Sequence, residues 1–182
     1  MTDNQLINPA LLFEKAQLQP AMHVADLGCG RTGHIVFPAS LVIGERGVVY
    51  AVDIIKDILD SINKKAKTEN LINIKTTWAD LEKVGYTAIP ESSLDVGFVI
   101  NTLFQSKHPH DFLSECIRLL KAKARLLIVD WERNNLPIGP GMTGSFVDFN
   151  DIKSWILAKG LYLQEEFEAG KYHRGLVFYK HD

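Results

Sequence analysis

Hydrophobic positions along the chain fall into short apolar runs separated by amphipathic stretches, the alternation that builds a mostly parallel sheet covered by helices. Residues 24–27, 47–52, 94–100 and 124–130 are largely apolar without alternation and predict buried strands, and 72–76 predicts a short third strand. Residues 9–18 predict an amphipathic helix with Asn8 as N-cap and Pro9 at its first position. Residues 34–43 are apolar on nearly every side, which predicts a helix packed deep against the sheet, and Pro38 demands a late start or a kink there. Residues 54–67 place Ile55, Ile58, Leu59 and Ile62 on one face with lysines opposite, and 110–120 and 148–158 complete the helices. Strand and helix alternate throughout until the end. There, 161–167 and 175–179 are strands whose short polar connection leaves no room for a crossover helix, so they predict an antiparallel hairpin.

The candidate chemistry sits where the first strand ends. Asp26 closes the strand, and Gly28, Cys29, Gly30 and Gly33 make a turn largely free of Cβ atoms, against whose bare backbone a ligand can lie. Taken alone, the turn also fits a tight strand-to-helix connection with no ligand. The second strand ends in Asp53, about twenty residues past the last glycine, the offset expected of an acid that binds a ribose. The missing Lys-Ser or Lys-Thr pair argues against a phosphate-binding P-loop.

Asp26-x-Gly28-x-Gly30 followed by Asp53 resembles the first two motifs of the class I S-adenosylmethionine-dependent methyltransferases. Residues 95–103, 112–121 and 125–131 look like the small-molecule branch that includes the ubiquinone and menaquinone biosynthesis methyltransferases. The resemblance spans about residues 20–180 and departs at Ala122-Lys123-Ala124, where many relatives have Pro-Gly-Gly, a change expected to alter only that turn. It implies a Rossmann-like α/β fold: a seven-stranded sheet of order 3-2-1-4-5-7-6, an antiparallel last strand and helices on both faces. It also implies S-adenosyl-L-methionine as cofactor and a small-molecule methyl acceptor.

On this resemblance Asp53 accepts from the ribose hydroxyls and Asp26 receives the methionine ammonium, directly or through water. Ile54 packs on the adenine, Asp80 accepts from its amino group, Ala79 adds a backbone contact, and Asn101 lines the methyl-transfer site. Structural readings stand beside these: a solvated strand-end acid for Asp53, a turn cap for Asp26, a helix N-cap for Asp80, a loop cap for Asn101. His34, His108, His110 and His173 are candidate bases, with none singled out. Phe104, Trp131 and Phe146 flank the expected acceptor region, and 131–146, rich in Pro and Gly, is the expected lid, working with the N-terminal helix.

Composition narrows the picture. A chain of 182 residues suits one methyltransferase domain, 21–182, behind a helical segment, 1–20. A net charge of −2 shows no basic bias toward nucleic acid. Two cysteines, Cys29 and Cys116, give neither a disulfide framework nor a metal set, and since the resembling arsenic methyltransferases use several cysteines as ligands, the resemblance disfavours an arsenite acceptor. No signal peptide or membrane span is legible, so a soluble cytoplasmic protein is expected. Oligomeric state stays open. Two rival functions remain: a catalytically silent protein that binds S-adenosylmethionine or S-adenosylhomocysteine, and a nicotinamide-dependent oxidoreductase.

Overall fold

Each apolar run becomes a strand of one sheet in the computed structural model, which describes residues 7–132 and 146–182. The chain runs α1 (Pro9–Lys15), β1 (His23–Leu27), α2 (Val36–Ile43), β2 (Val48–Asp53), α3 (Lys56–Thr68), β3 (Ile74–Trp78) and β4 (Leu94–Ile100). It continues through α4 (Pro109–Leu119), β5 (Leu120–Trp131), α5 (Phe149–Ala158), β6 (Leu161–Gly170) and β7 (His173–Lys180). The order is β3-β2-β1-β4-β5-β7-β6, as the resemblance implied. β1 to β5 pair in parallel, and β7 runs antiparallel to both its neighbours.

Burial on both faces explains why the central strands carry no alternation, whereas edge strand β3 has no fully buried residue. In β1, Val24 joins the core made with α1, α2 and α3, while Ala25 and Leu27 join the core made with α4 and α5. Helix α1 is part of the first core: Leu12 is fully buried, and Phe13 meets Phe98 of β4 edge to face at 5.8 Å. Helix α2 starts late, at Val36, so Pro38 falls in the first turn, where no intrahelical partner is needed for its missing N–H. The helix is not buried all round, however. Leu41 is 71% exposed and Val42 also faces solvent, because α2 covers only one side of the sheet.

Two connections differ from the sequence expectation. Among the described residues no α-helix separates β3 from β4; residues 79–93 form turns, with Gly85 and Ser92 at positive φ and Pro90 breaking any helical run. At the other, β5 begins directly after α4 and shifts register between Leu94↔Leu120 and Val96↔Arg125. Lys123 sits there at φ 65°, so it takes a glycine-like backbone where many members of the resembling family have Pro-Gly-Gly.

Without a helix, the 79–93 connector is held by Glu115 of α4. Its Oε2 accepts from Gly85 N at 2.6 Å and its Oε1 from Thr87 N at 3.2 Å, while Arg118 forks onto both oxygens at 2.8 and 2.7 Å. Burial works to raise this carboxyl, but the Arg118 bonds and the two amides outweigh it and bring it down to about 2. The stability this confers is fully present above the ordinary value of 4.5 and disappears as pH falls through about 2. Glu115→Gln should therefore lower the unfolding free energy at pH 7 by roughly 2–4 kcal/mol, read by urea titration. The variant should also lose much of the wild-type slope of stability between pH 4.5 and 2.

Candidate active site

β1 and β2 end side by side at the carboxyl edge of the sheet, where open α/β sheets bind ligands. Gly28 N and Cys29 N both donate to Val52 O at 2.9 Å, which folds the glycine turn back over β2. Gly28 adopts φ 99°, and a Cβ there would lie 2.5 Å from Thr102 Cγ2, so glycine lets the turn close against the end of β4. Asp53 completes the corner: its Oδ2 accepts from Gly30 N at 3.1 Å and its Oδ1 from Ile55 N at 2.9 Å. A carboxylate has about four acceptor positions, so these bonds leave capacity for two further donors.

A cleft of about 620 Å³ opens at this corner, within the usual size for a small-molecule site. Gly28, Gly30, Asp53, Ile54, Ala79, Asp80 and Asn101 line it together. Ile54 and Ile55 precede α3 rather than starting it, and each exposes about half its surface there, 54% and 51%. Ala79 N donates to Asp53 O at 3.2 Å. Asp80 caps its own turn, Oδ1 accepting from Glu82 N at 3.1 Å, and its Oδ2 lies 3.2 Å from Lys83 Nζ. Asn101 follows β4 at φ 52°, a conformation its short side chain tolerates, with its backbone N–H donating to Val129 O at 2.8 Å.

Three expected residues are not among those lining the cleft: Asp26, Cys29 and Gly33. Asp26 is 3% exposed, and burial, then the Asp53 charge, push its carboxyl up to about 8. Burial likewise pushes the Cys29 thiol up, leaving it unreactive. Gly33 faces the core, where a Cβ would come within 2.5 Å of the Phe37 ring and 2.7 Å of Ile62.

On the β4 side, Asp130 of β5 is fully buried. Its Oδ2 accepts from Phe104 N at 3.2 Å and its Oδ1 from Trp131 N at 2.8 Å, fixing the 3₁₀ turn Leu103–Gln105 whose Phe104 lines the cleft. Burial raises this carboxyl to about 7 against the pull of those amides. Trp131 is core, packed on His173 with ring centroids 4.2 Å apart, and Phe146 is not among the lining residues. None of the four candidate histidines lines the cleft: His34 Nε2 donates to Ile7 O at 2.8 Å, His110 pairs with Asp151, His108 precedes α4, and His173 is buried. Most of the expected lid, residues 133–145 with Gly139, Gly141 and Gly144, lies outside the described residues.

Sequence reasoning missed Arg31, Glu82, Thr102, Ser106 and Lys107, all of which line the cleft. An acid at the carboxyl end of a strand was the signal that marked Asp53, and Asp130 carries the same signal. Glu82 and Ser106 carry none, since they meet only through the fold. Among the described residues no group of three or more His, Cys, Asp or Glu is placed to hold a metal ion, and no helix is long and apolar enough to cross a membrane.

Comparison with known proteins agrees with this fold. The chain is 27% identical over 131 residues to the ubiquinone/menaquinone biosynthesis C-methyltransferase of Ectopseudomonas mendocina, covering 69% of this chain and 48% of that one. It thus spans about half the length of the curated relatives it matches. A solved S-adenosylmethionine-dependent methyltransferase from Aquifex aeolicus superposes with a TM-score of 0.83 at 24% identity, over 96% of this chain and 90% of that one. The [4+2]-cyclase SpnF superposes with a TM-score of 0.80 at 12% identity, over 98% and 81%, so the fold itself is shared with a different chemistry. A family model described as a methyltransferase domain matches residues 18–167, and the chain belongs to that family.

Proposed function

We propose that the protein transfers the methyl group of S-adenosyl-L-methionine to a small-molecule acceptor in the cytoplasm. The observation that carries this reading is Asp53 at the cleft wall beside the bare backbone of Gly28 and Gly30, with acceptor capacity to spare. That combination fits a ribose next to a chain that must lie flat on the turn. When bound, the cofactor supplies a sulfonium-activated methyl, and the chain's own residues bind, orient and exclude water.

Asp53 takes the ribose hydroxyls. Exposed Ile54 and Ile55 give the adenine an apolar face, and Asp80 accepts from its amino group. Asp26, under the turn, offsets the methionine ammonium through water. Arg31, which lines the cleft and has no acidic partner among the described residues, suits the methionine carboxylate. Asn101 and Phe104 face the acceptor. The net charge of −2 supports a small molecule over nucleic acid, and the two buried, unpaired cysteines fit a reducing compartment. The relatives' quinone-pathway C-methylation suggests electron-rich aromatic rings as the first acceptors to try.

The test pairs binding with turnover. S-adenosylhomocysteine should bind, and its affinity should rise up to tenfold per pH unit from about pH 6 until it levels near 8, since Asp26 must ionise to face the ammonium. Asp26→Asn should bind more weakly at pH 8 and show a flat profile. Methyl release from S-adenosylmethionine over a panel of aromatic and quinol acceptors should then identify a substrate; binding with no turnover on any acceptor would favour a silent binder, and NADH binding alone an oxidoreductase.

The glycines separate site from scaffold. A Cβ at Gly30 meets no protein atom within 4 Å and enters ligand space, so Gly30→Ala should cost only about 1–2 kcal/mol of stability, from its φ of 61°. Its affinity for S-adenosylhomocysteine should fall at least tenfold. Gly33→Ala should show the reverse balance, a larger loss of stability from collision with Phe37 and Ile62 and near-normal affinity in whatever folds.

A further inference from the structure

Glu82 has no role in the scheme above, yet one of its oxygens joins two walls of the cleft. Its Oε1 accepts from Ser106 Oγ at 2.7 Å, Lys107 N at 2.8 Å and His108 N at 3.3 Å. Glu82 belongs to the β3–β4 connector, beside Ala79, Asp80 and Leu81; Ser106 and Lys107 belong to the turn that leads into α4. All six line the cleft. The partly buried Glu82 works against a desolvation penalty that raises its carboxyl, and the Ser106 hydroxyl and the two amides still hold it below its ordinary range.

These bonds differ from a surface ion pair. Two of the three donors are backbone amides whose directions the chain fixes, so little side-chain entropy is lost in meeting them. His108, the N-cap residue of α4, makes no side-chain cap, and Glu82 ties down the two amides just ahead of the helix, Lys107 and His108. The connector has no helix of its own and is anchored further on, at Gly85 and Thr87, by Glu115. Glu82 is the brace at the cleft end of that connector.

We propose that Glu82 is a positioning residue for the adenine end of the cofactor cleft. It holds the 79–82 wall and the 105–107 wall at a fixed separation, so the nucleobase enters a preformed slot instead of ordering one on binding. This inference rests on the cofactor reading above.

Calorimetry with S-adenosylhomocysteine and with adenosine tests it. Glu82→Ala should weaken both ligands by the same factor, about tenfold, because the loss falls on the base and not on the amino-acid tail. Dissociation should quicken, and the Lys107 and His108 amides should exchange faster. Glu82→Gln, which keeps an acceptor at Oε1, should stay within about threefold of wild type. Ser106→Ala removes one donor and leaves the backbone bonds, so it should weaken binding by about threefold and provides the test if Glu82→Ala does not fold. Wild-type affinity in folded Glu82→Ala, or in Ser106→Ala should the former not fold, would overturn the positioning role and leave the cofactor reading standing. Failure of the wild type to bind S-adenosylhomocysteine would overturn the cofactor reading and the positioning role with it.

Discussion

Asp53 holds together three pieces of chain that would otherwise end independently. Its carboxylate fixes the turn after β1 through Gly30 N and the approach to α3 through Ile55 N, and its backbone carbonyl receives Ala79 N from beyond β3. Three neighbouring strand ends therefore meet around one residue at the carboxyl edge. The glycine turn follows from that meeting. Gly28 can press against Thr102, and Gly30 can present bare backbone, only because the turn is pinned where it is. The residue best suited to a ribose is thus also the residue that shapes the cleft, and the structural and functional readings of Asp53 are one arrangement.

Acids repeat this work around the rest of the cleft. Asp130 holds the turn after β4, Glu115 holds the helix-free connector after β3, and Glu82 joins that connector to the turn before α4. Each accepts backbone N–H groups at loop ends, where main-chain donors have no ladder partner. Their environments push the carboxyls apart: Glu115, with Arg118 forked upon it, falls to about 2, while Asp130, buried with amide donors and with no comparable cation among the described residues, rises to about 7. The loops around the cleft are thereby held by charge and dipole as well as by the apolar packing of Ala79, Leu81 and Leu103.

The sheet was legible because strands buried on both faces read as unbroken apolar runs, and because the final hairpin left no length for a crossover. The strand order followed from resemblance. Asp53 and the glycine turn were legible because the chemistry and the spacing coincide in one short stretch. Helix limits were less so: α3 starts at Lys56 because Ile54 and Ile55 turn toward the cleft, and apolar residues facing a ligand look the same in sequence as residues facing a core. The same ambiguity made α2 look buried all round although Leu41 faces solvent. The missing helix between β3 and β4 left only Gly85, Pro90 and the serines as a hint, and the contacts that replace it come from α4, some thirty positions away. Glu82 and Ser106 were invisible for that reason, being joined only once the sheet order brings them together.

The central claim, that this corner is a cofactor site built on Asp53, is met most directly by a crystal structure of the protein with S-adenosylhomocysteine. The account predicts both ribose hydroxyls within hydrogen-bonding distance of the Asp53 carboxylate, the adenine between Ile54 and the Asp80–Ser106 side of the cleft, and the amino-acid tail along Gly28 and Gly30. Density for the ligand elsewhere, or in this cleft with its ribose turned away from Asp53, would contradict it.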